Sequence, residues 1–409
     1  MSDSREIELD GHIIDSGIME HVLDSILDMG GDFEIIDFNV GKRKTDTSYA
    51  RVRIIGTDNA NLDAIISTLH RHGARLVDTD DANLAPAEGN RIVPKGFYST
   101  TNYPTQIRIN HNWIPVDHIE MDCLIVVTPD KQSAQATPMS KLQKGDLVVI
   151  GEHGVKIKPP ERSRSHGEFE FMGGAISSER PTETTIRKIA KEIIDTHRKG
   201  LKVALVGGPA IIHTGAGETC ATMFREGFID ILFAGNALAT HDIEYNKYGT
   251  SLGMNIRSGE LVSAGHKNHL YAISEIIRAG SIKKAVDNGT LQSGIMYECV
   301  KNDIPFVLAG SIRDDGPLPD VITDAMIAQD EMRKYVPDIG MVLMIATMLH
   351  SIAVGNCLPS YVVTVCVDIN PSTLTKLMDR GTSQAIGVVS DAGAFFPMLL
   401  EQLHLLEKK

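Results

Sequence analysis

A glycine-containing stretch in the middle of the chain, "VGGPAIIHTGAGETC" (206–220), begins like a nucleotide-binding loop that follows an apolar strand. Within it Gly215, Gly217 and Cys220 have the spacing of the dinucleotide fingerprint, but a cysteine stands where the third glycine is expected. That glycine allows close packing of helix and strand, so its replacement weakens the match. The pattern alone leaves open whether this loop binds a dinucleotide.

Small and polar residues close six apolar runs in the C-terminal half of the chain, "KVALVGG", "DILFAGN", "FVLAGSI", "MVLMIAT", "YVVTVCVD" and "AIGVVSD". The closing residues are Gly208, Asn236, Ser311, Thr347, Asp368 and Asp391. Such continuous runs predict strands that are buried on both faces of a parallel sheet. Ligands of open α/β sheets bind beyond the carboxyl ends of the strands, so these residues predict a ligand site. The alternative is that turns use the same residue types.

The spacing of two of these residues predicts a dinucleotide more specifically. Asp368 lies 21 positions after Thr347, with a short helical segment between them. A dinucleotide-binding βαβ unit places an acid about 20 residues on, where it accepts hydrogen bonds from the ribose, and this favours NAD over NADP. Met348, Leu349 and His350 stand where glycines are usual, so NAD would bind in a non-standard pose.

A polar segment nearer the N-terminus, "GFYSTTNYPTQIRINHNWIPV" (96–116), contains candidates for substrate binding. Arg108 could hold a substrate carboxylate, because a guanidinium pairs with a carboxylate through two hydrogen bonds. Asn102 is a second candidate in the same segment. The alternative is that these side chains belong to a solvated strand face.

The elements that must position these residues fall into three predicted domains. Residues 1–84 show the order βαββαβ, which suits a ferredoxin-like α+β domain. Residues 85–165 contain short extended runs separated by turn residues and predict a small β-rich domain. Residues 166–409 predict an α/β domain with a Rossmann-like parallel sheet. Prolines and charges in "KPPERSRSHGEFEFMGG" (158–174) are typical of a linker.

Composition excludes several classes of function. A net charge of -13 and a pI near 5.6 argue against nucleic acid as a partner, because backbone binding needs clustered lysine and arginine. The five cysteines are scattered without a C-x-x-C pair, which favours reduced thiols and predicts no metal site. No apolar signal segment or membrane-length run is seen, so we expect a cytoplasmic protein without a membrane partner.

Six short segments, "GGPAIIHTGAGE", "FAGNALATHDIE", "IRDDGPLPD", "ATMLHSIAVGN", "VDIN" and "SDAG", closely resemble the archaeal-type ornithine cyclodeaminases. That family is related to the C-terminal part of the cyanobacterial arginine dihydrolase/ornithine cyclodeaminases, and to a conserved domain associated with lysine-ketoglutarate reductase/saccharopine dehydrogenase. The resemblance extends over almost the whole chain, including "NYPTQIRI" and "SSERPTETT". It implies conversion of L-ornithine to L-proline and ammonia with bound NAD.

The resemblance also implies a Rossmann-like NAD domain of the deoxyhypusine synthase type, which lacks the glycine fingerprint, and a homo-oligomer, because such domains usually pair. It assigns NAD contacts to the matching positions Asn236, Ala237, Asp314, Thr347, Met348, Leu349, His350, Asp368, Asp391 and Ala392. On this interpretation the GxGxxC run is not the pyrophosphate loop, and "HTGAGETC" lies nearer the substrate.

The implied reaction needs groups that move protons, and two residues are candidates. Glu218 and His266 could act as acid and base, although Glu218 could equally complement a helix dipole and His266 could be an ordinary loop histidine. Cys220 could be a nucleophile, but the reaction requires none and a small buried thiol is the commoner state.

Two other functions stay open at this point. One is an NAD-dependent amino-acid dehydrogenase that acts on a basic amino acid or a saccharopine-like substrate, because one fold serves many reactions. The other is a non-catalytic sensor of NAD and amino acids, which the ferredoxin-like domain suggests.

Overall fold

The computed structural model describes residues 4–14, 16–43, 46–70, 72–77, 80–158, 182–251, 254–255, 267–314, 316–380 and 385–407. The chain divides into two compact units. Unit 1 comprises Met1–Met172 and Leu358–Tyr361, and unit 2 comprises Gly173–Cys357 and Val362–Lys409. The predicted linker 158–174 lies almost entirely outside the described residues, and the division into three domains stays a prediction.

The N-terminal part of unit 1 has the predicted βαββαβ order. Its elements are β1 (Ser4–Gly11), α1 (Ile18–Asp28), β2 (Asp32–Asn39), β3 (Ser48–Ile55), α2 (Asn59–His70) and β4 (Arg75–Leu76). The strands form an antiparallel sheet in the order β2-β3-β1-β4. Asp58 accepts a hydrogen bond from the Asn61 N–H at 2.8 Å and so caps α2. This arrangement confirms the ferredoxin-like prediction.

The rest of unit 1 is a seven-stranded sheet, as the prediction of a β-rich region requires. Its strands are β5 (Asn83–Pro86), β6 (Thr105–Ile109), β7 (Asn112–Asp117), β8 (Leu124–Val127), β9 (Ala134–Thr137), β10 (Leu147–Ile150) and β11 (Val155–Ile157). The order is β11-β6-β7-β9-β8-β10-β5, and only β7 and β9 pair in parallel. The apolar run "HIEMDCLIVVT" (118–128) forms a strand only from Leu124, because Asp122 adopts φ 61 and turns the backbone.

Unit 2 alternates strands and helices. Its strands are β12 (Lys202–Gly207), β13 (Ile231–Gly235), β14 (Thr250–Ser251), β15 (Met254–Asn255), β16 (Phe306–Ala309), β17 (Val321–Ile322), β18 (Ile339–Ile345), β19 (Val363–Asp368) and β20 (Ala385–Val389). Its helices are α3 (Thr182–Arg198), α4 (Ala210–His213), α5 (Gly217–Arg225), α6 (Asn236–Tyr248), α7 (Asn268–Ala279), α8 (Ile282–Asp287), α9 (Ile295–Lys301), α10 (Ala325–Arg333), α11 (Met348–Cys357), α12 (Pro371–Arg380) and α13 (Ala392–Glu407).

Seven of these strands form one parallel sheet in the order β17-β16-β13-β12-β18-β19-β20. The six predicted runs are β12, β13, β16, β18, β19 and β20, which confirms the α/β fold class with a Rossmann-like sheet. All seven residues of β18 are buried. The strands that follow β12 in the chain, β13, β16 and β17, extend the sheet on one side of β12. The last three strands, β18, β19 and β20, extend it on the other side. The topological switch point, where open α/β sheets bind ligands, therefore lies between β12 and β18.

In the described part of the chain, no helix has the length and apolar character needed to cross a membrane.

Candidate active site

The carboxyl ends of β12 and β18 approach each other closely at the switch point. The Gly208 N–H donates to the Ile345 carbonyl oxygen at 3.0 Å. A Cβ atom at Gly208 would lie 2.0 Å from the Ala346 carbonyl oxygen, and Ala346 itself adopts φ 55. Only glycine fits at this position, so the two strand ends form a crevice floor made of backbone.

Several helices begin at this edge of the sheet, among them the three that follow β13, β18 and β20. Their first residues are Asn236, Met348 and Ala392. The first N–H groups of a helix lack partners within the helix, and together with the helix dipole they favour a bound anion such as a phosphate. Three such N-termini on one edge suit a ligand with more than one phosphate group.

Asn236 fixes the start of α6 to the segment that follows β16. Its side chain is buried, and Oδ1 accepts hydrogen bonds from the Leu318 N–H at 3.0 Å and from Thr240 Oγ1 at 3.3 Å. Ala237 is the next residue of the same helix and is half-buried. The side-chain oxygen of Asn236 thus holds the helix start in place, and the backbone N–H groups of this start lie at the edge of the sheet.

His350 lies close to two other predicted cofactor contacts, Asn236 and Asp314. A Cβ atom at Gly235 would lie 2.7 Å from Cε1 of His350, so the ring packs directly on the backbone before Asn236. Burial lowers the pKa of His350, and the Asp314 carboxylate opposes part of this effect. Asp314 in turn accepts a hydrogen bond from the Ser311 N–H at 2.8 Å. The segments around Asp314, Asn236 and His350 therefore lie together.

Two carboxylates stand at the outer strands of the same edge. Asp368 ends β19 and accepts a hydrogen bond from the Asn370 N–H at 2.8 Å. Asp391 precedes α13 and accepts from the Gly393 N–H. Each is held in place by a neighbouring backbone N–H, and the first of them occupies the position expected of a ribose-binding acid.

Large apolar side chains are exposed at this edge beside the polar groups. Ile312 follows β16, Leu349 opens α11 and Ile369 follows β19, and all three are exposed. An edge that presents backbone amides, carboxylates and apolar side chains suits a ligand with anionic, hydroxylated and flat apolar parts. A dinucleotide has all three.

The GxGxxC run lies elsewhere in the fold. β12 ends at Gly207 and is followed by α4, and only then do Gly215 and Gly217 form the turn into α5. A dinucleotide fingerprint occupies the turn directly after a strand, so this run has the wrong place as well as the wrong third residue. Cys220 is buried in α5, and burial raises the pKa of its thiol well above the ordinary value.

The remaining predicted residues are more dispersed. Glu218 is exposed in the first turn of α5 and forms a 3.5 Å ion pair with Arg225, which fits the helix-dipole alternative. His266 lies outside the described residues. Asn102 and Arg108 belong to unit 1, where Asn102 is buried and Arg108 Nε lies 3.8 Å from Asp81 Oδ1. The catalytic and substrate-binding roles of these four residues stay predictions.

Unit 2 contains a cluster of histidines that the sequence did not predict. His213 closes α4 and His241 lies in α6, and their ring centroids are 4.8 Å apart. His241 Nδ1 is 2.8 Å from Oε2 of the buried Glu244, and His213 Nδ1 is 2.6 Å from Ser251 Oγ. The i,i+3 spacing of His241 and Glu244 in "THDIE" was the available signal. The contact with His213 arises only from the placement of two helices.

Asp242, between these residues in sequence, has a structural role. Its two carboxylate oxygens accept hydrogen bonds from the Ile295 and Met296 N–H groups at 3.0 and 2.9 Å, which caps the N-terminus of α9. Complete burial raises the pKa of Asp242 to about 7. The carboxylate therefore joins α6 to α9 and is separate from the histidine cluster.

Three family models match successive parts of the chain. Residues 4–103 match the LOR/SDH bifunctional enzyme conserved region. Residues 104–186 match the first region of the C-terminal part of arginine dihydrolase ArgZ-like proteins, and residues 187–399 match the Rossmann fold of that C-terminal part.

Similar proteins cover almost the whole chain. An ornithine cyclodeaminase of Methanothermobacter thermautotrophicus is 59% identical over 401 residues, which are 98% of this chain and 98% of that protein. The structure of apo ArgZ, a cyanobacterial arginine dihydrolase, is 38% identical with a TM-score of 0.86 and covers 99% of this chain and 59% of ArgZ. A ternary complex of AgrE with ornithine and NAD+ is 42% identical with a TM-score of 0.55 and covers 99% of this chain and 58% of AgrE.

Proposed function

Because the chain belongs to the family of the archaeal ornithine cyclodeaminases, we propose that it converts L-ornithine to L-proline and ammonia with bound NAD. The observation that carries the proposal is the carboxyl edge of the parallel sheet in unit 2. There a switch point with touching backbones, three helix N-termini, two carboxylates and exposed apolar side chains lie along one edge.

These residues fit the cofactor by their chemistry. Backbone N–H groups at the start of α11, beside the switch point, would hold the pyrophosphate, and Asp368 would accept hydrogen bonds from ribose hydroxyls. His350, held neutral by burial and packed on Gly235, would exclude water from the crevice floor. Ile369 and Leu349 would cover the flat apolar parts of the ligand. When bound, NAD supplies an acceptor for the hydride of the ornithine Cα and returns that hydride to the cyclic imine.

The chain itself must bind the amino acid and move protons. Arg108 and Asn102 of unit 1 are the proposed contacts of the substrate carboxylate, and Glu218 and His266 are proposed to transfer protons. Alanine replacement of each, with proline formation as the readout, removes from this set any residue whose loss leaves the rate unchanged.

The assembly and the location of the protein are also proposals. We propose a homo-oligomer, so light scattering during gel filtration should give a mass of at least twice the 44.6 kDa of one chain. A cytoplasmic location is proposed from the sequence, and the five cysteines, all unbridged and buried, fit a reducing compartment.

The experiment that tests the function is a mass balance. The purified protein is incubated with L-ornithine and NAD while proline, ammonia and NADH are followed together. We expect proline and ammonia in equal amounts without net NADH. Accumulation of NADH would indicate a dehydrogenase, and binding of NAD without turnover of any basic amino acid would indicate a sensor.

A further inference from the structure

The histidine cluster of unit 2 lies next to the elements that form the cofactor crevice. His213 ends the helix that follows β12, and His241 lies in the helix that begins at Asn236 after β13. β12 and β13 are neighbours in the parallel sheet, so both helices leave the same edge. The cluster therefore lies on the side of the sheet where the substrate must meet the cofactor.

Glu244 gives this cluster a fixed carboxylate. Its side chain is completely buried, Oε2 is 2.8 Å from His241 Nδ1, and Oε1 accepts a hydrogen bond from Thr250 Oγ1 at 2.9 Å. Asn268 Nδ2 donates to the same Thr250 hydroxyl at 2.9 Å. A buried carboxylate on Nδ1 orients an imidazole, leaves Nε2 for a reacting group and stabilises the imidazolium form.

The second imidazole of the cluster, His213, is a poor proton acceptor. Burial and the nearby His241 lower the pKa of His213 to about 4, and Glu244 only partly opposes this. The two ring centroids are 4.8 Å apart, and of the two rings it is His241 that contacts the carboxylate of Glu244. His213, held by Ser251 Oγ at 2.6 Å, stays neutral and packs edge-on against His241.

We infer that His241 is a further proton-transfer group, which takes up and returns the proton of the α-nitrogen during ornithine turnover, with Glu244 as its positioning residue. The inference rests on the proposed function. Neither residue was among the candidates from sequence, and the side chain of His241 is 12% exposed, so part of the ring is open to solvent.

The proposed proton transfer by His241 conserves protons over the whole reaction. His241 Nε2 accepts a proton from the α-ammonium group of ornithine, which leaves a neutral amine whose lone pair can form the C=N bond when the Cα–H bond breaks. After the δ-amine has added to that carbon, the imidazolium returns the proton to the α-nitrogen. The addition leaves the ring nitrogen with two hydrogens and a positive charge, and one of these protons passes to solvent. The freed lone pair forms the C=N bond of the cyclic imine as the C–N bond to the α-nitrogen breaks, and ammonia leaves with that bonding electron pair. The ring nitrogen of proline takes up a proton again at the end. The proton that the δ-ammonium loses before its attack is the one that converts ammonia to ammonium in solution.

The test compares His241→Asn and Glu244→Gln with a matched control. His404→Asn removes the imidazole of another His–Glu pair, in which His404 Nε2 lies 2.6 Å from Glu226 Oε2 at the surface. We expect His241→Asn to lower kcat at least about 10²-fold, the usual contribution of a general acid or base. The Kd for NAD, measured by calorimetry, and the melting temperature should stay close to wild type. The control should match wild type in all three.

The second variant, Glu244→Gln, distinguishes a positioning role of Glu244 from a purely structural one. Glu244→Gln keeps a hydrogen-bonding side chain but removes the charge that stabilises a protonated His241. We expect a lower kcat and an acid limb of the pH–rate profile displaced to lower pH, with His213 and His269 as the other titratable groups that face this ring. A purely structural role would leave that limb in place.

The outcomes are distinct. Proline formation by His241→Asn within about twofold of wild type overturns the inference while the proposed function stands. Loss of NAD binding or of stability in His241→Asn, together with an unmoved acid limb in Glu244→Gln, also overturns it. If the wild-type protein forms no proline, the proposed function fails, and this inference fails with it.

Discussion

We propose that the choice of NAD over NADP depends on Asp368. Replacement by alanine removes the carboxylate that would accept hydrogen bonds from the ribose, and we expect the Kd for NAD to rise about tenfold, because one such charged hydrogen bond contributes about 1.5 kcal/mol or more. Calorimetric titration of NAD and NADP measures the effect. Asp338→Asn is the control, since that aspartate pairs with Lys202 at 3.1 Å on the surface. An unchanged Kd for NAD in the Asp368 variant would contradict the assignment.

His70 gives unit 1 a predictable dependence on pH. The ring is buried at the end of α2 with its edge against Tyr98, and burial lowers its pKa to about 4. His70 in the unfolded chain therefore becomes protonated below about pH 6.5, whereas in the folded chain it becomes protonated only near pH 4. Stability falls as pH falls through this window, by about 3 kcal/mol at most.

The measurement is urea unfolding at several pH values. His70→Leu should flatten the loss of stability between pH 6.5 and 4, whereas His21→Leu, at an exposed position in α1, should keep it. The same slope in both variants would show that His70 is not its source.

At the residue scale, the sequence predicted best those groups whose position follows from a strand end. Asp368, Asn236 and Thr347 each follow an apolar run, and parallel strands bring such ends to one edge. The pairing of His213 with His241 was not predictable, because it depends on how two helices leave neighbouring strands. The structural role of Asp242 was equally hidden, since its partners lie more than 50 residues away in sequence.

At the scale of elements, the junction of β12 and β18 is the most constrained part of the crevice. Gly208→Ala would force a Cβ atom to 2.0 Å from the Ala346 carbonyl oxygen. We expect it to lower the free energy of unfolding by about 2 kcal/mol and to weaken NAD binding, because the strand ends must move apart. Gly355→Ala is the control within α11, where the new Cβ would lie 3.6 Å from Met344 Cε, an ordinary contact. It should leave stability equal or slightly higher. Equal stability of both variants would contradict the close approach.

The elements that the sequence predicted are long or strongly patterned. β18 and α1 were predictable because burial on both faces, or on one helical face, repeats over many residues. β17 has two residues and β5 has four, so neither carries a pattern of its own. Their positions are decided by the neighbouring strands β16 and β10, to which they pair.

At the scale of the whole molecule, the two units contain different groups of proposed functional residues. Unit 2 contains the proposed cofactor crevice and the His241–Glu244 pair, and unit 1 contains the proposed carboxylate contacts Arg108 and Asn102. We expect Arg108→Ala to raise KM for ornithine about tenfold or more and to leave the Kd for NAD unchanged. Steady-state kinetics and calorimetry check this. A changed affinity for NAD with an unchanged KM would contradict the assignment of Arg108 to the substrate.

In the proposed reaction, the hydride taken from ornithine returns to the same carbon skeleton. The most direct measurement supplies ornithine that carries deuterium at Cα, with NAD, and locates the label by mass spectrometry and NMR. We expect proline labelled at C2 and no labelled NADH in solution. Unlabelled proline, or deuterium that accumulates in free NADH, would contradict it.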